Sequence, residues 1–184
     1  LERLFVLRIF ACLCLFFCAS TFAKSNTETA GDVLHVLLPA TAFVGSLYVE
    51  KESEAPYEGA WQLTKSGVAS RVTVEVLKAS FTKSRPDDSD DDAFPSGHTT
   101  DTFAAATFIQ RRYGWAYAVP AYAVATYVGY SRVESDKHET IDALAGAAIG
   151  VLSGLYFTDS YRGVKVIPLA SKQHGYGVSI SSRF

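Results

Sequence analysis

A strongly apolar segment runs from Asp32 to Val49, interrupted by His35 and Pro39, and predicts a buried helix with a kink at the proline. A polar connector, "KESEAPYEG", follows from Lys51 to Gly59. Between Ala60 and Ser80, Trp61, Leu63, Val68, Val72, Val76 and Leu77 recur at mostly helical spacing, with Lys65, Arg71 and Glu75 among them, which predicts a half-polar helix. Residues 81 to 97 read as a loop, and a helix starting near His98 carries Phe103 to Ile109 and stops at Arg111, Arg112 and Gly114. Trp115 to Tyr130 is uncharged and rich in Ala, Val and Tyr, the pattern of a helix buried on most sides. Ser131 to Glu139 is polar again. Ile141 to Phe157 places Ala and Gly at close intervals, which lets a helix approach its neighbours closely. The tail "YGVSISSRF" alternates apolar with small or polar residues, as a strand does. Five helical segments without a run of strands predict an all-α bundle, and 184 residues suffice for one core.

The first 23 residues belong to a different class. Arg3 and Arg8 precede an apolar run from Ile9 to Cys18, and small or modest residues lead to Ala23, the layout of a secretory signal peptide cleaved before Lys24. The same stretch is about long enough for a membrane anchor. Cys12, Cys14 and Cys18 all lie inside it, so the body from Lys24 to the tail has no thiol chemistry. The expected organisation is a leader or anchor over residues 1–23, a catalytic domain over 24–158 and a strand-like tail over 159–184.

Charge excludes one class of partner. The chain carries 17 Lys and Arg against 19 Asp and Glu; without Arg3, Arg8 and Glu2 the balance is 15 to 18. No basic face for nucleic acid is indicated. Whether the bundle sits in lipid stays open. Alternating helices would put Arg111 and Arg112 in a short cytoplasmic turn and loops 81–97 and 131–141 on the outer face. The apolar segments, at about 15 to 18 residues, are at the short edge for spanning.

Three clusters carry candidate chemistry: Lys78 with Arg85 and Pro86, the tetrad Pro95–Ser96–Gly97–His98, and Ser131 to Asp142. His138 and Asp142 stand four residues apart. If a helix starts at or just before His138 they share a face, and the carboxylate can fix the imidazole tautomer and leave the other nitrogen as a base or nucleophile. The Pro-Ser-Gly turn at a helix start offers backbone amides to an anion. Each cluster alone reads more readily as an ordinary cap or a solvated surface.

Taken together, the clusters resemble the signature of the type 2 phosphatidic acid phosphatase (PAP2) superfamily, which also contains bacterial class A acid phosphatases and vanadium haloperoxidases. The match covers K-x6-R-P at Lys78, Arg85 and Pro86, then P-S-G-H at 95–98, then S-R-x5-H-x3-D at Ser131, Arg132, His138 and Asp142, over about a third of the chain. The resemblance implies a helical bundle of that type. It implies that His138 attacks phosphorus with Asp142 orienting it, and that His98 serves as general acid and base. It further implies that Lys78, Arg85, Ser96, Gly97 and Arg132 hold the phosphate, with no metal and no other cofactor. The expected activity is a phosphohydrolase of the cell envelope, its site facing the periplasm. Its expected substrate is a lipid phosphate or diphosphate, or else a soluble phosphomonoester, the protein being in the inner membrane or soluble in the periplasm. A vanadate-dependent haloperoxidase and a non-catalytic headgroup-binding module are the more remote alternatives.

The run Asp87, Asp88, Asp90, Asp91 and Asp92 lacks the glycine and distal glutamate of a calcium loop and is read as a solvated connector.

Overall fold

The computed structural model describes residues 24–52, 55–161, 165–171 and 175–181. The proposed leader over residues 1–23 lies outside them. Among the described residues five helices follow in order: α1 (Lys24–Glu50), α2 (Glu58–Ser80), α3 (Gly97–Tyr113), α4 (Trp115–Glu134) and α5 (Thr140–Phe157). The all-α bundle is therefore as its sequence pattern predicts. Two strands, β1 (Lys165–Ser171) and β2 (Gly175–Ser181), pair antiparallel after the helices, with Lys165 opposite Ser181 and Ser171 opposite Gly175.

Local chemistry sets the helix ends. α3 stops at Gly114, whose φ of 92° lies where only glycine is unstrained, and α4 restarts at the next residue. α5 opens with a capping box, in which the Glu139 and Asp142 side chains each accept from the other residue's backbone N–H. Two boundaries differ from expectation. α1 continues through Pro39 and spans 24–50, and α4 extends past Tyr130 to Glu134, so Ser131 and Arg132 are helical and buried rather than in a loop. Their polarity faces inward, where a hydropathy pattern reads it as the end of a buried helix.

α3 is central and packs against the other four helices. Its seam with α5 is made of small residues. A Cβ added at Gly146 would run into the Ser96 carbonyl oxygen, one at Gly150 would lie 2.8 Å from the Ala104 nitrogen, and one at Gly154 would lie 2.6 Å from Thr107 Cβ. This close approach brings the start of α3 against the start of α5, where Ser96 N–H donates to the Asp142 carbonyl at 3.0 Å. Leu38, Ala42, Leu63, Ala105, Ala106, Phe108, Ile109, Ala121 and Ala125 fill the core.

A buried ion pair closes the opposite end. Arg112 Nε and Nη2 donate to the two Glu50 carboxylate oxygens at 2.8 and 2.7 Å. Tyr113 Oη and Gly59 N–H also donate to Glu50, and Gln62 accepts from Arg112. Arg112, expected in a short turn, is buried in the last turn of α3 and paired within the fold.

The outer surface is more apolar than the inner seam. In α5, Ala143, Gly146, Gly150 and Gly154 are buried while Ile141, Leu144, Leu152, Leu155 and Tyr156 are exposed. On α1, Val33, Val36, Phe43 and Val44 are exposed, and on α2 so are Trp61, Val68, Val72 and Val76. Among the described residues, α1 from Asn26 and α5 are long and apolar enough to cross a membrane.

Candidate active site

The alternation of helix directions gathers the end of α2, the start of α3, the end of α4 and the start of α5 at one end of the bundle. All three sequence clusters therefore meet there.

His138 sits just before the N-cap of α5 and is 4% exposed. Its Nδ1 lies 2.6 Å from the Ala93 carbonyl oxygen. Because a carbonyl can only accept, Nδ1 carries the proton, and in the neutral ring Nε2 keeps its lone pair. Burial pushes the His138 pKa down from 6.5 to about 4; Arg85 and Lys78 act in the same direction, against the Ala93 bond and Asp142. At neutral pH the ring is thus neutral.

Asp142 does not make the expected bond to His138. His138 precedes the helix, so helical spacing does not bring the two side chains onto one face. Asp142 is the third residue of α5 and turns back to cap it, Oδ2 accepting from Glu139 N–H at 2.8 Å. Its Oδ1 accepts from Lys83 Nζ at 2.6 Å, and the carboxylate is fully buried. Desolvation opposes the charge on Lys83, but its bonds to Asp142 and Glu139 raise its pKa overall. Lys83, which lies inside the K-x6-R-P spacing, links the two loops. Ala93 N–H donates to the Lys83 carbonyl at 2.9 Å, and the Ala93 carbonyl then receives His138. Asp142 is therefore linked to the His138 ring through Lys83 and the backbone, in addition to its direct charge.

Arg85 and Lys78 are close enough to influence this histidine, and Arg132 is close enough to influence His98. Arg85 and Arg132 each have a buried Nε with no partner, an orphan donor of the kind that an anion satisfies. Arg132 Nη2 donates to the Glu28 carbonyl at 3.0 Å and its Nη1 lies 2.9 Å from Asp32. Lys78 has no carboxylate partner among the described residues and is close enough to influence His138. Ser96, expected on the phosphate, is tied into the turn itself. It is fully buried at the N-cap of α3, and its hydroxyl is 2.9 Å from Thr99 Oγ1. Gly97 and His98 follow in the first turn of α3, whose amides have no carbonyl to bond within the helix.

His98 is partly exposed and stands against α1, which the sequence motifs did not include. Its Nε2 lies 3.1 Å from Asp32 Oδ1, and its ring stacks on His35 with centroids 3.9 Å apart. His35 Nε2 is 3.0 Å from Asp101 Oδ2. The detectable signal for Asp32 and His35 was their polarity, three residues apart, in an otherwise apolar segment.

The aspartate loop ties the clusters together. Asp87 bonds Lys137 at 2.7 Å, Asp87 N–H donates to the Asp136 carbonyl, and Asp90 is 3.5 Å from Arg85. The Lys137 bond, with that from Ser89, holds the Asp87 carboxyl well below the usual carboxylate range. No group of His, Cys, Asp or Glu suited to a metal occurs among the described residues.

The family model described as "PAP2 superfamily" matches residues 59–164. The chain is 43% identical over 85 residues to a lipid A 1-phosphatase of Porphyromonas gingivalis, covering 44% of this chain and 19% of that protein. It is 29% identical over 146 residues to a lipid A 4'-phosphatase of Helicobacter pylori, covering 73% and 71%. A 69-residue stretch is 41% identical to the bacitracin transport permease protein BcrC of Bacillus licheniformis, covering 36% and 32%. The matched region thus spans about a fifth of the first of these relatives. The crystal structure of Aquifex aeolicus LpxE superposes with a TM-score of 0.53 at 23% identity, covering 74% of this chain and 95% of that one.

Proposed function

The chain belongs to the PAP2 superfamily, and on that premise we propose that it is a lipid phosphate phosphatase working through a phosphohistidine at His138. The observation that carries this reading is the bond from His138 Nδ1 to Ala93, which leaves Nε2 as a lone pair at the end of the bundle where Arg85 and Arg132 keep orphaned, buried Nε donors.

In the first half-reaction Nε2 attacks phosphorus, and the bond between phosphorus and the lipid oxygen breaks with its electron pair going to that oxygen. His98 donates the proton that neutralises it. In the second, water attacks the phosphohistidine and gives its proton to His98. The P–N bond then breaks with its pair returning to Nε2. Arg85, Arg132 and Lys78 hold the non-bridging oxygens, joined by the Gly97 amide. Phosphoryl transfer rests largely on positioning and charge stabilisation, so this set performs it without a metal.

The lipid substrate is supported by the outer surface. Exposed Val and Leu on α1, α2 and α5, over a seam of Gly, Ala and Thr, suit a hydrocarbon surrounding better than water. Two of the curated relatives are named for acting on lipid A, and a phosphorylated lipid of that kind in the cell envelope, reached from the periplasmic side, is the substrate class proposed here. The test is phosphate release from a lipid phosphate in mixed micelles, compared with a short soluble phosphomonoester. A higher kcat/KM on the lipid is expected, and a preference for the soluble ester rejects the lipid assignment.

A further inference from the structure

We propose that Asp32, on α1, is a positioning residue of the catalytic site that holds the general acid His98 and the phosphate-binding Arg132 in register. This rests on the assignment of His98 as the group that protonates the leaving oxygen.

A single carboxylate oxygen, Asp32 Oδ1, lies 2.9 Å from Arg132 Nη1 and 3.1 Å from His98 Nε2. The two groups it joins come from different helices, α4 and α3. The backbone is arranged to allow this. Gly31 packs on α4 so closely that an added Cβ would run into the Ser131 hydroxyl and lie 3.3 Å from Arg132 Nη2. One turn further along α1, His35 covers a face of the His98 ring at 3.9 Å, with an interplanar angle of 30°. Asp101 holds His35 at 3.0 Å and is itself 3.5 Å from Arg71 Nη1. His98 is therefore bounded by Asp32 and His35 from α1, by Asp101 from its own helix and by Arg132 from α4.

The placement has a chemical use. Asp32 stands among exposed Val33, Val36 and Leu37 on a helix apolar enough to span a membrane, where a carboxylate is costly unless it is paired or functional. Next to His98 it favours the imidazolium that must exist before the leaving oxygen is released, and so opposes burial, His35 and Arg132, which bring the ring's pKa down to about 4. When the proton moves from His98 to that oxygen, a neutral ring remains against the carboxylate. Proton return from the attacking water restores the ion pair. Arg132, tied to the same oxygen, keeps the phosphate at a fixed distance from the acid.

The experiment compares an alkyl phosphate, whose alkoxide needs a proton to leave, with p-nitrophenyl phosphate, whose phenolate leaves without one. The full chain in detergent micelles is assayed as wild type, Asp32→Asn, Asp32→Glu, His98→Ala and His138→Ala. A general acid contributes about 10²- to 10⁴-fold, so Asp32→Asn is expected to lower kcat on the alkyl ester by about thirtyfold. Loss on the aryl ester is expected to be about threefold, KM to change little on either, and Asp32→Glu to recover part of the alkyl rate. His98→Ala should show the same selectivity, and His138→Ala should abolish both reactions. Equal losses on the two esters reduce Asp32 to a structural role and overturn the proposal. Wild-type rates on both, or a raised kcat/KM from a carboxylate that merely competes with phosphate, overturn it as well. If Asp32→Asn is silent while both histidine variants are impaired, this inference alone fails; if His138→Ala keeps full activity, the reading of the site fails with it.

Discussion

Asp142 follows His138 by four residues, yet its carboxylate is held by Lys83 Nζ at 2.6 Å while His138 turns its Nδ1 to the Ala93 carbonyl. The proposed nucleophile is oriented by backbone, and the loop that supplies it is tied to the buried carboxylate through Lys83.

Lys83→Met is therefore expected to harm both stability and turnover. It leaves a fully buried Asp142 oxygen without its partner, which costs about 2 kcal/mol, and it loosens the loop that carries Ala93. Thermal unfolding in detergent and kcat should fall together, with kcat reduced at least about tenfold through the misplaced ring. A variant with unchanged kcat removes Lys83 from the orientation of His138.

The pH dependence follows from the neutral His138. Its pKa is pushed down to about 4 from 6.5, chiefly by burial, so the reactive lone pair is available throughout the interval between those values. Protonation removes the nucleophile, and loss of the His98 proton, whose pKa burial also lowers to about 4, removes the general acid, so kcat/KM should fall on both sides of a maximum near pH 4. An acid limb near 6.5 would show the ring to be solvated in the free protein.

At the far end of the bundle, Arg112→Met leaves Glu50 charged and uncompensated in the interior, which costs about 3–5 kcal/mol. The double variant Glu50→Gln with Arg112→Met should recover most of that loss. Unfolding midpoints check both. The folded fraction should keep its kcat, because the pair lies at the end of the bundle opposite His138.

Gly150→Ala tests the seam that aligns the loops. The new methyl meets the Thr100 carbonyl and the Ala104 nitrogen, backbone atoms that cannot swing aside. Separating α3 from α5 should cost about 1–3 kcal/mol and lower kcat, since both the His98 turn and the His138 loop hang from these helices. Unfolding and activity in the same preparation measure it.

Helix existence was legible because apolar periodicity survives whichever face is buried. Orientation was less so. Arg132 and Ser131 read as loop residues because polarity normally ends a buried helix, whereas here α4 turns them inward toward α1. The i, i+4 relation of His138 and Asp142 suggested a direct bond, and it failed because the helix begins after His138. Asp32 and His35 were visible only as polar interruptions; nothing in linear order joins residues 32 and 98. In the tail, alternation from Tyr176 to Ile180 marks β2, while β1 contains Pro168 and has no alternation to mark it.

The most direct measurement is trapping of the intermediate. The full chain is mixed with a phosphate ester labelled on phosphorus and quenched in alkali, where phosphohistidine survives, and the labelled residue is identified by mass spectrometry. Label on His138 in the wild type, and its absence together with loss of turnover in His138→Ala, is the predicted result. Wild-type turnover by His138→Ala, or label on another residue, would contradict the account.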